Sequence, residues 1–396
     1  MKPIYLDNSA FARPSPRAVQ AMVTYFSDLW GSPQMPHRRG QKLHAFMRRD
    51  YEKLYRFLGA EEEDTFLFTS SGAEAINQVY ECLRCDLLRE GKKKALVTSA
   101  IEEAPILMCI SRLEEEGLAI GRMVEPNRGG VVTAEGVAEQ LTEETALVSL
   151  SYGNGLLGTL CEAKAIIERA HVAGALVHLD VTHALGKVDL SFRELDLDFL
   201  TFTGEAIHAP VGTGGLLAHA RVALAPLIVG GLEQGGWRAG SFNMPAFGGL
   251  VEAIVELQES QDYLCTEIAR LRALLEQQVA DQLAGEPFAP LFPFRGAELL
   301  PHVAVMTFPG IANEPLLYLL DGQGVAASIG GGHFQQLALL AEACGLEAEI
   351  ARSMVSFSLS RDTDQPSIEQ AAELIAMSVR QLSRCRLAEE EKKGWD

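Results

Sequence analysis

Short apolar runs rich in β-branched residues alternate with longer amphipathic runs over the first two thirds of the chain. The amphipathic runs, such as residues 72–90, 106–118 and 161–174, have the 3.6-residue spacing of helices. Strands and helices that alternate in this way predict a parallel sheet covered by helices on both faces. The predicted fold class is therefore α/β. The runs that predict strands are residues 65–70, 94–100, 146–152, 175–182 and 197–204.

The pattern changes after residue 241. A helical run over residues 247–283 has no turn signal and predicts a helix that connects two domains. An α+β pattern follows, with strand-like segments at residues 302–308, 324–328 and 354–360. We therefore expect a large domain over residues 13–255, and a smaller α+β domain formed by residues 1–12 together with residues 256–396.

The chain is strongly acidic, with a formal net charge of −19. Such a surface repels phosphate backbones and anionic lipids, so nucleic acids and membrane surfaces are not expected partners. The sequence has no uninterrupted apolar run long enough to cross a bilayer and no apolar signal core at its beginning. These features favour a protein that works in the cytoplasm.

The sequence contains seven cysteines, an odd number, and most of them lie far apart in the chain. This distribution suits a reducing compartment better than a disulfide framework. Only Cys82 and Cys85 lie close together, with a spacing that metal sites also use. They belong to a helical run, and no second pair or nearby histidine completes a tetrahedral set. We predict buried helix cysteines and no metal site.

Ligands of parallel sheets bind beyond the carboxyl ends of the strands. The topology therefore directs attention to the residues that follow each predicted strand. These segments are Ser70–Glu74, Ile101–Glu103, Ser151–Gly155, Asp180–His183 and Thr203–Ala206.

Several of these segments resemble motifs of the cysteine desulfurases of the class V aminotransferase family. The order and spacing of the motifs carry the resemblance over nearly the whole chain. It implies the pyridoxal-phosphate (PLP) transferase fold type I, PLP as the family cofactor, and a homodimer whose pockets lie at the subunit interface. The segments are IYLDNSA, GSPQMPHRRGQ, FLFTSSGAEA, VTSAIEEAP, SYGNGLLGT, VHLDVTHALGK and WRAGSFNMP.

The resemblance also implies roles for individual residues. Asp180 takes the place of the carboxylate that keeps the pyridine nitrogen protonated. A helix N-terminus at Ser70, Ser71 and Gly72 would bind phosphate through backbone N–H groups. Further positions on the cofactor are Glu103, Asn154, His183, Thr203, Glu205 and Ser241, the last reaching across the dimer interface. Substrate-side positions are Asn8, Arg238 and Arg361.

The reacting groups of the family are missing from this chain. The segment TFTGEAIHAP places Ala206 where the family has the lysine that holds PLP as an imine. Alanine has no amine, so it cannot form this bond. The loop that carries the catalytic cysteine in the family has Gly330, Gly331, Gly332 and His333 instead. We therefore expect no catalytic residue of the family's kind and no covalently held cofactor.

Other positions of the pocket also depart from the family pattern. Glu103 replaces the histidine that stacks on the ring, and His183 replaces a glutamine that contacts the ring oxygen. Gly155 replaces the second asparagine of a pair, and Ser356 replaces an arginine that binds the substrate carboxylate. Because motifs that form the fold persist while reacting groups are replaced, the sequence favours a non-catalytic homologue. Such a protein would act by binding itself, an active desulfurase paralogue or an iron–sulfur assembly protein.

Two alternatives remain open. In the first, the protein is an enzyme with altered chemistry, in which polar side chains of the old pocket serve as acid and base or bind a metal. The simpler interpretation, which gives these polar side chains no role, is that they fill a pocket that is no longer used. In the second, PLP is bound without a covalent link through Ser70, Asp180, Thr203 and Ser241. The polar side chains that would act as acid and base or bind a metal in the first alternative are Glu103, His183, Glu205, His208 and His333.

Overall fold

A computed structural model describes residues 3–91, 93–332 and 335–393. The strands are β1 (Ile4–Tyr5), β2 (Thr65–Thr69), β3 (Ala95–Ser99), β4 (Ile120–Val124), β5 (Thr145–Ser151), β6 (Leu176–Asp180), β7 (Phe199–Thr203), β8 (Gly214–Ala218), β9 (Val303–Thr307), β10 (Val325–Ala326) and β11 (Met354–Ser358). The helices are α1 (Pro16–Ser27), α2 (Arg38–Leu58), α3 (Gly72–Glu90), α4 (Ala104–Glu115), α5 (Ala134–Gln140), α6 (Ala163–Val172), α7 (Met244–Tyr263), α8 (Ala269–Gln282), α9 (Asn313–Gly322), α10 (Leu337–Ala343), α11 (Ala348–Ala351) and α12 (Gln365–Lys393).

The centre of the molecule is a seven-stranded sheet with the order β2-β8-β7-β6-β5-β3-β4. Strands β3 to β7 run parallel to one another, and only β8 is antiparallel to its neighbours β2 and β7. The predicted α/β class and the mostly parallel sheet are confirmed. Strands β4 and β8 were not predicted, because β4 is a half-exposed edge strand with a polar arginine and β8 opens with two glycines.

The parallel strands β3, β5, β6 and β7 are largely buried on both faces, whereas the edge strand β4 is half-exposed. Val97, Val148, Leu179 and Leu200 come from four neighbouring strands and are all fully buried. Burying such side chains contributes about 1.5–3 kcal/mol each relative to exposure. This packing holds the carboxyl ends of the strands in fixed positions at one edge of the sheet.

The C-terminal part has the predicted α+β character. Strands β9 and β11 pair antiparallel, whereas β1 from the start of the chain pairs parallel with β10. The predicted connecting helix is present as α7 and α8, which are joined by a π-helical turn at Leu264–Ile268. Strand β10 is shorter than the predicted segment 324–328. The division into domains at residues 13 and 255 stays a prediction.

All seven cysteines are free thiols. Cys82 is buried in α3, as predicted, and burial raises the pKa of its thiol to about 11. Cys85, one turn further on, is only half-buried. Across the described part of the chain, no helix is long and apolar enough to cross a membrane.

Candidate functional site

A cavity of about 180 Å³ lies beyond the carboxyl ends of β6 and β7, against the first turn of α3. Strand-end segments that are far apart in the sequence meet here because parallel strands end at the same edge of the sheet. Ser9 and Ala10 close the cavity from the N-terminal segment. The predicted site residues that line it are Ser71, Gly72, Glu103, Asp180, His183, Thr203, Glu205 and Ala206.

One wall of the cavity, which we call the helix side, is formed by Ser71, Gly72 and Thr203. The hydroxyl of Ser71 caps α3 by accepting a hydrogen bond from the backbone N–H of Glu74 at 3.1 Å. Gly72 lets the helix start close to β7, since an added Cβ would lie 3.2 Å from Cβ of Thr203. The helix side therefore combines a capped helix N-terminus with a strand-end hydroxyl.

The opposite wall, which we call the histidine side, is formed by Glu103, Asp180 and His183. Nε2 of His183 lies 2.8 Å from Oε1 of Glu103. Glu103 is the N-cap residue of α4, but its side chain makes no capping bond to that helix. Its carboxylate is instead directed at His183, whose ring is almost entirely buried. The histidine side thus contains a carboxylate–imidazole pair in which the imidazole is buried and the carboxylate is partly exposed.

Asp180 ends β6 and is held by two hydroxyl-bearing neighbours. Its Oδ2 accepts a hydrogen bond from the hydroxyl of Thr201 at 2.6 Å, and its Oδ1 accepts one from the backbone N–H of Thr182 at 3.1 Å. Burial and the nearby charge of Glu103 raise the pKa of Asp180 to about 6. Sequence reasoning missed Thr201, although a threonine inside an otherwise apolar strand is a signal for such a contact.

Ser70 and Arg238 are tied to a carboxylate of the chain itself. The backbone N–H and the hydroxyl of Ser70 donate to Oε2 of Glu74, at 2.8 and 2.5 Å. Nε of Arg238 donates to Oε1 of Glu74 at 2.9 Å. Burial would raise the pKa of Glu74, but the hydrogen bonds from Arg238 and Ser70 lower it below its ordinary value. Sequence reasoning missed Glu74 as their shared partner.

Other predicted residues lie outside the cavity. Asn154 shapes a turn, since its Oδ1 accepts from the backbone N–H groups of Leu156 and Leu157 at 3.0 and 2.8 Å. Asn8 donates to the carbonyl of Ser358 at 2.8 Å, and Ser241 is exposed.

Two further predicted residues, Arg361 and His208, also contact other parts of the chain and not the cavity. Arg361 pairs with Glu256 at 3.3 Å. Nδ1 of His208 lies 2.7 Å from the carbonyl oxygen of Arg13, so it does not join the histidine side. His333 lies outside the described residues. Among the residues that are described, no group of three or more histidines, cysteines or carboxylates is placed to hold a metal ion.

Ala206, which the sequence predicts at the family's lysine position, presents only a methyl group to the cavity. Ala206 is buried and lines the cavity. The amine of Lys187 lies behind it and donates to the carbonyl oxygen of Ala206 at 3.3 Å. Burial lowers the pKa of Lys187 to about 8. Lys187 is not part of the cavity lining, so the wall beside Asp180 presents no amine.

The loop that replaces the family's cysteine loop is glycine-rich and anchored near the cavity. Gly330, Gly331 and Gly332 all have positive φ, at 82°, 100° and 66°, which side chains other than glycine rarely adopt. The side-chain amide of Gln335 donates to the carbonyl of Glu102 at 2.8 Å. Ser356, predicted to take the place of the family's arginine, is buried and donates to the carbonyl of Leu156 at 2.8 Å.

These residues do not fit a coenzyme that is held through an imine. Ala206 supplies no amine, and the carboxylate of Glu103 stands where a flat ring is needed for stacking. Asp180 and the helix side would still suit a pyridine nitrogen and a phosphate. The disagreement lies in the side chains that would touch the reactive part of the coenzyme.

Residues 4–370 match the family model described as aminotransferase class-V, so the chain belongs to that family. Its relatives include a cysteine desulfurase of Trichormus azollae, 31% identical over 402 residues, with 100% of this chain and 97% of the relative covered. The cysteine desulfurase NifS of Azotobacter vinelandii is 29% identical, over 96% of this chain and 94% of the relative.

The structural comparison gives the same result. A solved NifS-like protein has a TM-score of 0.87 and 25% identity, over 96% of this chain and 100% of the other. The NifS-like protein of Rickettsia africae has a TM-score of 0.81 and 22% identity, over 95% and 99%. The chain therefore has the PLP-dependent transferase fold type I and is cysteine desulfurase-like.

Proposed function

We propose that this protein is a cysteine desulfurase-like member of its family that does not perform PLP imine chemistry and acts by binding other molecules. The observation that supports this most directly is the methyl group of Ala206 in the cavity wall. An amine at this position is what the family's chemistry requires, and the cavity lining offers none in its place.

The electrostatics of the cavity support the same proposal. Besides Asp180, which would suit a pyridine nitrogen, Glu103 and Glu205 bring two further carboxyl groups to its lining, against one imidazole from His183. Such a lining disfavours an anionic coenzyme, because a phosphate-bearing ligand would be brought close to several carboxylates. PLP that enters should therefore be held weakly and without a covalent bond.

For the binding role, we propose a homodimer, or a complex with an active desulfurase paralogue or an iron–sulfur assembly protein, in the cytoplasm. Large apolar side chains on the surface support an interface between proteins. Phe26 and Trp30 are 69% and 57% exposed, and Val229 and Leu232 are 74% and 87% exposed. Seven free thiols suit a reducing compartment.

The direct test is to mix the purified protein with PLP and record the visible spectrum before and after borohydride reduction. We expect no imine band and no pyridoxyl-lysine in peptide maps, and no release of sulfide from cysteine. The Ala206→Lys variant, treated in the same way, controls for access of PLP to the cavity. A pyridoxyl group trapped on a lysine of the wild-type chain, for example Lys187, would refute the proposal.

A second candidate function is supported by the hydrogen bond between His183 and Glu103. A buried imidazole oriented by a carboxylate can act as a general base. In this case the protein would be an enzyme with chemistry unlike that of its relatives. Incubation with a metabolite extract, followed by mass spectrometry, tests it: a compound consumed by the wild type and spared by His183→Ala supports catalysis, and identical profiles contradict it.

A further inference from the structure

Gly155 lies directly against the ring of His183. A Cβ atom added at residue 155 would lie 2.5 Å from Nε2 and 2.6 Å from Cε1 of that ring, closer than real Cβ atoms approach other atoms. The backbone of Gly155 does not have a positive φ. A side chain at this position is therefore excluded by the imidazole and not by the backbone conformation.

The imidazole has little freedom to move away from residue 155. Its Nε2 is in the hydrogen bond to Glu103, and the ring is 2% exposed. Glu103 is held in turn at the N-terminus of α4, directly after Glu102, whose carbonyl accepts from Gln335. Rotating the ring to admit a side chain at residue 155 would break the bond to Glu103. The three positions therefore depend on one another.

We propose that Glu103, Gly155 and His183 form one packed unit that fills the histidine side of the cavity, and that Gly155 is the residue that admits it. The unit excludes a planar heteroaromatic ligand from the face of Asp180. This inference rests on the proposed function in one respect: both assume that PLP does not bind in the cavity of the wild-type protein. It adds that the side chains tolerated at these three positions depend on one another, so that a change at one of them disturbs the packing of the others.

The coupling is tested by a double-mutant cycle on thermal stability. Gly155→Ala should lower Tm by about 1–4 °C, because it overpacks a buried site. In a His183→Ala background the same change should cost almost nothing, since the ring is gone. Gly322→Ala is the matched control: nothing lies within 4 Å of an added Cβ there, and φ is not positive. It should leave Tm unchanged or raise it by up to about 1 °C.

A second readout does not depend on stability. In the Gly155→Ala protein, the ¹⁵N signals of the His183 ring should move toward those seen in a Glu103→Gln variant, because both changes disturb the same hydrogen bond. Equal Tm losses from Gly155→Ala in the two backgrounds, or unchanged ring signals, would overturn the coupling.

The exclusion of the coenzyme is tested by reversion to the residues that the family has at these positions. Ala206→Lys alone should bind PLP weakly. The combination with Glu103→His, Gly155→Asn and His183→Gln should bind it at least ~10-fold more tightly and give a borohydride-trapped imine. Equal Kd values for the single and the fourfold variant would overturn the inference. Because both proteins carry the new lysine, this outcome leaves the proposed function of the wild type untouched.

Discussion

On the helix side of the cavity, Ser71 caps α3 and Thr203 packs against Gly72, whereas on the histidine side Asp180 is buried with a raised pKa. Lys187, directly behind Ala206, is buried with a lowered pKa. The helix side contributes to the stability of the fold whether or not a ligand is present. The buried titratable groups cost stability whenever they are charged.

This difference agrees with the predicted family pattern, which the residues of the helix side keep and Glu103 and His183 do not. A cap such as Ser71 is needed by the helix itself, so the residue has a purpose that does not depend on catalysis. The amine of the family's lysine serves only the coenzyme, and the protein folds around Ala206 without it. Three predictions, in order of decreasing effect, test the comparison.

The largest effect is expected for Lys187→Met. Because the folded-state pKa, about 8, lies below the unfolded value of 10.5, the unfolded chain binds more protons between these pH values. The stability of the wild type should therefore rise from about pH 8 to pH 10.5, and below pH 8 the full cost of the buried charge is present. After allowing for the lost bond to Ala206, the variant should be more stable by about 2 kcal/mol at pH 7.

Urea unfolding at pH 7 and pH 10 measures this effect. The variant should have the higher midpoint at pH 7, and the difference should shrink at pH 10. A constant difference at both pH values would show that packing, not the charge of Lys187, is responsible.

A smaller effect is expected for Asp180→Asn. The folded-state pKa of about 6 exceeds the ordinary value of 3.8 for an aspartate side chain, so the folded chain binds more protons between these pH values. The contribution of Asp180 to stability is thus fully present below about pH 4 and is lost as the pH rises through 6. The asparagine variant lacks this loss of about 3 kcal/mol. After allowing for one lost acceptor oxygen, it should be more stable than the wild type by ~1–2 kcal/mol at pH 8.

The test for Asp180→Asn is the same unfolding experiment at pH 4.5 and pH 8. The advantage of the variant should appear only at pH 8. If Asp180→Asn destabilises the protein equally at both pH values, its bonds to Thr201 and Thr182 outweigh its charge, and the histidine side would stabilise the fold as the helix side does.

The smallest effect is expected for Ser71→Ala, with the opposite sign. Loss of the hydroxyl leaves the backbone N–H of Glu74 without its capping bond, which should cost ~1 kcal/mol. Because no titration is involved, the loss should be the same at pH 4.5 and pH 8. Ser71→Asp, which retains a capping acceptor, should recover most of the midpoint in urea. A failure of aspartate to do so would argue against capping as the role of Ser71.

Much of the fold was predictable from local patterns. The strands β2, β3, β5, β6 and β7 follow from their apolar runs, and the long helix after residue 241 follows from its uninterrupted periodicity. Strand β8 was missed because GGLLA has little strand propensity of its own. It becomes a strand because β2 and β7 supply partners on both of its edges.

Part of the cavity lining was predictable from the sequence, but the contacts between the side chains were not. Glu103, Asp180, His183 and Ala206 were singled out by position, and all four line one cavity. That Ser70 would bond to Glu74 was not predicted. The sequence alone does not say whether the hydroxyl of a strand-end serine faces a ligand or a side chain of the helix that follows.

The sequence by itself determined the α/β class, the family and the absence of an amine at residue 206, because periodicity, motif order and covalent structure are properties of the chain alone. Only the tertiary structure decided that Glu103 pairs with His183 and that Gly155 makes room for the pair. These residues follow different strands, and the distances between them exist only once the strands have been packed side by side.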